Sequence, residues 1–227
     1  MAAVLFDFQG TIATTEDPVH WVNAAAADCG VSLEPARAMA LADQLTAAGR
    51  IGGPRPVQVP PHLAEAWARR DLSPATHRAA YQGLAATVPA GIDGFAEALY
   101  ARVLRAEGWR AYRDAEPTLA ALRAAGVGVA VVSNVAFNIR PVCRRLGFGR
   151  HVDVWALSYE VGAIKPDPAI FTYACSELGV EPGRTLMVGD AGADAGAVDI
   201  GCRVLILPAA APGEVNGLAA VLALALA

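Results

Sequence analysis

The stretch Val4-Leu5-Phe6-Asp7-Phe8-Gln9-Gly10-Thr11 constrains this chain more than any other. Residues 3–8 read as a strand, apolar on both faces apart from Asp7, as in a central parallel strand covered by helices. Such a strand delivers Asp7 to its C-terminal end, the edge where open parallel sheets bind ligands. Gly10 then turns the chain. Two residues beyond Asp7, where a proton donor would be most useful, stands Gln9.

After residue 110 the pattern alternates between helix and strand. Helices are expected at 116–125, 138–146, 168–178 and 194–200, with strands at 127–133, 152–158, 184–189 and 203–207. Alternation of this kind specifies a parallel sheet with right-handed crossovers, a doubly wound, Rossmann-like α/β fold. Between the first strand and this region, residues 14–110 read as helical. One helix enters through Pro18 and ends near Cys29-Gly30, a second covers 34–48, and others cover 63–71, 74–87 and 93–107. Proline at a helix start and glycine at its end supply the punctuation. Residues 49–62 carry too many Gly and Pro for regular structure, and a loop of that length has a task or is mobile. The expected division is therefore 1–13 and 111–227 as an α/β core, with 14–110 as a helical insert.

Composition narrows the function. With 227 residues, 55% of them hydrophobic, the chain can bury a large core. A net charge of −4 provides no basic surface for nucleic acid. Cys29, Cys143, Cys175 and Cys202 are far apart in sequence and form no CxxC pair, which fits reduced thiols in a cytoplasmic protein. The chain opens directly into its first strand, leaving no room for a signal peptide. The apolar run 217–227 is too short to span a bilayer and reads as a closing helix. The expected partner is a small molecule, with no nucleic acid and no membrane, acted on by a monomer or homodimer.

Several strands end on polar residues: Asp7 on the first, Ser133-Asn134 on the second and Gly189-Asp190 on the fourth. Converging carboxylates are costly without a cation, and Asp7 with Asp190 would suit Mg²⁺, a hard ion that prefers oxygen ligands. Lys165, held before Pro166, offers a fixed counter-charge. A carboxylate nucleophile, a metal, a lysine and a hydroxyl are the parts needed to hold a phosphoryl group.

In this order the motifs resemble those of the haloacid dehalogenase superfamily. Asp7-Phe8-Gln9-Gly10-Thr11 resembles its first motif, Val131-Val132-Ser133-Asn134 the second, Lys165-Pro166-Asp167-Pro168 the third, and Gly189-Asp190 with Asp194 the fourth. The insert resembles the helical cap that follows the first strand in many members. The resemblance implies Asp7 as nucleophile, and Ser133 and Lys165 as phosphoryl ligands assisted by Thr11 and Asn134. It further implies Mg²⁺ held by Asp7, Asp190 and the backbone carbonyl of Gln9, with Asp194 supporting Asp190 or Lys165. In the insert, Arg55, Arg69, Arg70, His77, Arg78 and Tyr81 are candidate substrate contacts, whereas Trp109 and Tyr112 read as packing.

Phosphatases of this superfamily usually carry an aspartate at the position of Gln9, which protonates the leaving oxygen and then activates water. An amide can hydrogen-bond but cannot exchange that proton, and loss of such help costs ~10²–10⁴-fold in rate. The expected function is Mg²⁺-dependent phosphoryl hydrolysis or transfer on a small metabolite, with acyl phosphates or phosphoanhydrides suiting Gln9 best. The alternatives are carbon–halogen hydrolysis, whose leaving group needs no proton, and a catalytically impaired member that binds a phosphorylated ligand or a protein partner.

Overall fold

A computed structural model describes every residue, 1–227. In chain order the elements begin with β1 (Ala3–Phe6) and β2 (Ala13–Thr15), followed by α1 (Pro18–Asp28), α2 (Pro35–Ala48), α3 (Ala64–Ala68), α4 (Pro74–Ala86) and α5 (Phe95–Val103). Then come β3 (Trp109–Ala111), α6 (Ala115–Ala124), β4 (Gly128–Ser133), α7 (Arg140–Arg145), β5 (Val154–Leu157) and α8 (Ser158–Val161). The chain closes with α9 (Pro168–Leu178), β6 (Thr185–Gly189), β7 (Arg203–Ile206) and α10 (Ala219–Leu226). Two compact units result: Met1–Thr14 with Arg110–Ala227, and Thr15–Trp109.

The first unit is built on a five-stranded parallel sheet of order β5-β4-β1-β6-β7. β1 sits at its centre, with Phe6 in register with Val131 on one side and Val188 on the other. All four β1 residues are fully buried, because helices cover both faces of the strand. Leu5, Ala130, Val132 and Met187 face one way and pack with Ile170, Phe171 and Ala174 of α9. The alternate residues Val4, Phe6, Val129 and Val131 point to the opposite face, as strand geometry requires. From β1 the sheet grows outward through β4 to β5, then returns to the other side for β6 and β7. That reversal of winding places a crevice at the C-terminal end of β1.

The second unit is helical. Trp21, Val22, Leu41, Leu45, Phe95 and Leu99 form its core, and the Trp21 indole N–H donates to the Leu99 carbonyl at 3.0 Å. Its helices start as the sequence dictates. Pro18 opens α1 while the Asp17 carboxylate accepts from the N–H groups of Val19 and His20. Pro74 opens α4 behind a Ser73 cap that accepts from Thr76 N–H. Buried Glu16 accepts two hydrogen bonds from Arg102, at 2.7 and 3.0 Å.

Several boundaries differ from the sequence reading. β1 stops at Phe6 rather than residue 8, since the chain turns after Asp7, although Asp7 N–H still donates to Val188 O at 2.9 Å. The stretch 194–200 is a 3₁₀ helix and 63–71 contains only the short α3, preceded by a 3₁₀ turn at Pro61–Leu63. The loop 49–62 is tied down by Arg50, which donates to Thr15 Oγ1, and by Val57 N–H, which donates to Ala47 O. Strands β2 and β3 pair as a two-stranded sheet and are too short for periodicity to reveal.

The centrality of β1 gives a direct test. Leu5→Ala should destabilise the protein by about 2–5 kcal/mol, as large-to-small changes in a close-packed core do, read from the urea midpoint at constant m.

Candidate functional site

Because β4, β1 and β6 are neighbours, their C-terminal ends bring Ser133, Asp7 and Asp190 together. With Gln9, Asn134, Lys165, Ala191, Ala193 and Asp194 they line a cavity of about 220 Å³. The turn after Asp7 is closed by its own backbone. Ile12 and Ala13 N–H donate to Phe8 O, and Gly10 N–H donates to Ala13 O. Gly10 has a φ of +85°, and a Cβ there would lie 2.3 Å from Asp190 Oδ2. Only glycine satisfies both the left-handed backbone and the close approach of that carboxylate.

Lys165 is the pivot. Its ammonium donates to Asp7 Oδ1 at 2.7 Å and to Asp194 Oδ1 at 2.6 Å, all three residues being buried. Asn134 fixes the lysine's backbone reciprocally: its Oδ1 accepts from Lys165 N–H at 2.7 Å, and its Nδ2 donates to Lys165 O at 3.0 Å. The peptide bond from Lys165 to Pro166 is cis. Asp194 is held in turn by Ala191 N–H, which donates to its Oδ2 at 3.0 Å. A Cβ on Gly189 would lie 2.1 Å from the Asp194 carboxyl carbon, so glycine at the end of β6 is what admits Asp194.

One carboxylate oxygen from each of Asp7, Asp190 and Asp194 lies within 4.8 Å of the others. Three carboxylates against one ammonium leave the cluster short of positive charge. Burial first, then the neighbouring Asp194 and Asp190, push the Asp7 carboxyl up to about 7, with Lys165 opposing. Burial and Asp194 also raise Asp190. For Lys165, burial alone would favour loss of the proton, but Asp7 and Asp194 outweigh it and hold the lysine above its usual value. The lysine is therefore charged, and the carboxylates compete for it.

Of the residues singled out from sequence, Asp7, Gln9, Ser133, Asn134, Lys165, Asp190 and Asp194 meet at this cavity. Thr11 does not: its side chain is fully buried, outside the cavity lining, with its hydroxyl unpartnered. Asn134 differs in its contacts, since both ends of its amide are engaged by the Lys165 backbone. In the helical unit, His77 is buried and hydrogen-bonded to the Tyr100 hydroxyl at 2.8 Å. Burial, aided by Arg70, lowers its pKa to about 4, so it is neutral near pH 7. Arg70 stacks on Trp67 at 4.1 Å and Arg78 lies over Tyr100 at 5.7 Å, while Arg55 and Arg69 are exposed. Trp109 and Tyr112 are buried, with Tyr112 Oη donating to Ala210 O. Sequence reading missed Ser158, whose Oγ accepts from Val135 N–H and donates to Val135 O just past the Ser133 tip. It also missed Asn216 and Asp114, which have no distinguishing sequence pattern.

Strand order and crevice define a doubly wound, Rossmann-like α/β protein. The model of the haloacid dehalogenase-like hydrolases matches residues 1–198, and the chain belongs to that family. It is 37% identical over 82 residues to N-acetylmuramic acid 6-phosphate phosphatase of Pseudomonas aeruginosa, covering 36% of each chain. It is 34% identical over 87 residues to (S)-2-haloacid dehalogenase 1 of a Pseudomonas species, covering 38% of each. The chain spans less than half the length of the curated relatives it matches. Among solved structures, a phosphatase of this family from Thermococcus onnurineus superposes with a TM-score of 0.60 at 25% identity, over 99% of this chain and 97% of that one. No helix is long and apolar enough to cross a membrane.

The raised Asp7 carboxyl has a measurable consequence. The folded protein retains a proton that the unfolded chain releases between its ordinary 3.8 and about 7. This group's contribution to stability is thus full below that window and is lost as pH rises through it. In chelator, Asp7→Asn should gain about 1–3 kcal/mol relative to the unaltered protein between pH 4 and pH 8, checked by paired urea titrations. Gly189→Ala should displace Asp194 and lower Tm by several degrees, read by thermal melts.

Proposed function

We propose that this chain is a Mg²⁺-dependent phosphoryl hydrolase or transferase for a small phosphorylated metabolite, with Asp7 as nucleophile. The observation that carries the reading is Lys165 bridging Asp7 and Asp194 beside Asp190, at the ends of three adjacent strands. The donor set fits the metal: a crowded group of carboxylate oxygens with excess negative charge suits a hard divalent cation. Asp7, Asp190 and the Gln9 carbonyl would hold it, while Asp194, whose oxygens bond Lys165 and Ala191, steadies the lysine. When bound, Mg²⁺ draws charge from the phosphoryl oxygens and relieves the repulsion between carboxylates.

With one Asp7 oxygen held by Lys165, the other attacks phosphorus, forming an aspartyl-phosphate as the bond to the leaving oxygen breaks. Lys165 and the Ser133 hydroxyl neutralise and orient the phosphoryl oxygens. The Gln9 amide donates a hydrogen bond to the departing oxygen without transferring a proton, so the leaving group must be stable as an anion. Acyl phosphates and phosphoanhydrides meet that requirement; simple alkyl phosphates do not. Water, oriented by Gln9 and unassisted by a general base, then attacks phosphorus; the P–O bond to Asp7 breaks, the carboxylate is restored, phosphate departs with the proton lost to it or to solvent, and turnover is slow. We assign the helical unit the role of a substrate-selecting cap, and the protein to the cytoplasm.

Gln9 also favours a second reading, carbon–halogen hydrolysis, because halide leaves unprotonated. Asp190 speaks against it, since alkylation of Asp7 needs no second carboxylate beside it. A third reading, a ligand binder with impaired turnover, leaves the Asp7–Lys165 pair without a task.

The test is a panel of phosphate esters, acyl phosphates and haloacids, scored for phosphate and halide release with and without Mg²⁺. Phosphate release should require Mg²⁺, favour the better leaving groups, and fall ~10³-fold or more in Asp7→Asn. Phosphate release that persists in Asp7→Asn would sink the nucleophile assignment, and chelator-insensitive halide release would establish the second reading. Gln9→Asp should raise turnover of alkyl phosphates by ~10²-fold or more, measured as kcat.

A further inference from the structure

Beyond the family-matched stretch of 1–198, the chain returns to the site. Buried Asn216 directs its amide Nδ2 at two carbonyls of the turn that follows Asp7, donating to Gly10 O at 3.1 Å and to Thr11 O at 2.9 Å. Its Oδ1 accepts from Ala210 N–H at 2.9 Å. Its backbone is fixed independently: Asp114 Oδ1 accepts from Asn216 N–H at 2.9 Å, and Asp114 Oδ2 accepts from Leu218 N–H at 2.7 Å. Tyr112 reaches the same segment through Ala210 O and the turn through Ile12 O.

We propose that Asn216 is a positioning residue, clamping the turn that carries Gln9 and so fixing where the residue-9 side chain stands beside Asp7. Three features single it out. The donor is one buried amide nitrogen serving two consecutive carbonyls. Gly10 also lies so close to the Asp190 carboxylate that a Cβ there would stand 2.3 Å from its Oδ2, so the position of this turn bears directly on the site. Apart from Tyr112 N–H on Ile12 O, the turn's other backbone hydrogen bonds over residues 8–13 are internal to it, so Asn216 is the side chain that ties its Gly10 and Thr11 carbonyls to the rest of the unit. Removing the amide leaves two buried acceptors without their donor, which favours displacement of the turn toward solvent. The proposal rests on the reading of Asp7 and Gln9 as reacting-site residues.

Asn216→Asp is the discriminating variant. It keeps the shape and the acceptor for Ala210 N–H, and replaces the double donor with an oxygen facing two carbonyls. Val221→Ala is the control, since it loosens α10 of the same C-terminal segment, whose main packing is on α6. Hydrogen exchange of the full-length protein, followed on a peptide covering residues 8–14, should be about 10-fold faster in Asn216→Asp and unchanged in Val221→Ala. Turnover of an acyl phosphate, per folded molecule, should fall about 10-fold in kcat with KM nearly constant. The turn exchanging at the unaltered rate in Asn216→Asp, or loosening equally in Val221→Ala, overturns the proposal. Exchange needs no substrate, so a loosened turn in a protein that hydrolyses none of the panel upholds the clamp and counts against the proposed function instead.

Discussion

The Lys165 ammonium, shared between Asp7 and Asp194, is the interaction on which the site depends. It lies in a buried place where three carboxylates would otherwise repel one another, and it partly offsets their charge. Removing one member of such a group is costly because it strands its partners without water to solvate them. The surrounding structure serves to hold that lysine. Asn134 pins its backbone, Ala191 fixes Asp194, and two glycines allow carboxylates to approach where any side chain would collide. Dense charge in a partly buried crevice is unfavourable for folding, and it is the kind of arrangement whose fixed dipoles and charges need not reorganise when the charge of a bound ligand moves.

The sheet explains why these groups converge. Asp7, Ser133 and Asp190 are far apart along the chain, Asp7 standing more than a hundred residues before either of the others, yet parallel pairing of β4, β1 and β6 sets their strand ends side by side. Registry does the aligning: a slip of one residue in β1 would turn Leu5 out of its cluster with α9 and send Phe6 into it. The core that stabilises the fold is thus also what sets the relative positions of the site residues.

Much of this was legible in the sequence. Continuous apolar runs ending on Asp7, Ser133 and Gly189 gave away the strands and their ligand-binding edge, and prolines and glycines marked the helices. Less visible were features that depend on three-dimensional closeness. Gly189 is demanded by Asp194, five residues on. Thr11 looks like a hydroxyl available to substrate until the fold buries it. Asn134 reads as a ligand contact, and only the fold shows that both its amide atoms also bond the Lys165 backbone. Asp114, Ser158 and Asn216 each act on a segment far away in sequence, so no local spacing reveals them. The three-residue strands β2 and β3 fall below the length at which alternation carries information.

Those two strands have a consequence of their own. Because β2 and β3 pair, the chain leaves and re-enters the sheet-bearing unit at points about 5 Å apart, the ordinary spacing of paired strands. A segment of 95 residues, Thr15–Trp109, is thereby spliced in as though through a hairpin. Any autonomous module with adjacent termini could stand in its place without stretching the sheet. The ribbon is, in effect, a graft point, where one module can be exchanged for another while the strand ends that carry Asp7, Ser133 and Asp190 stay where they are.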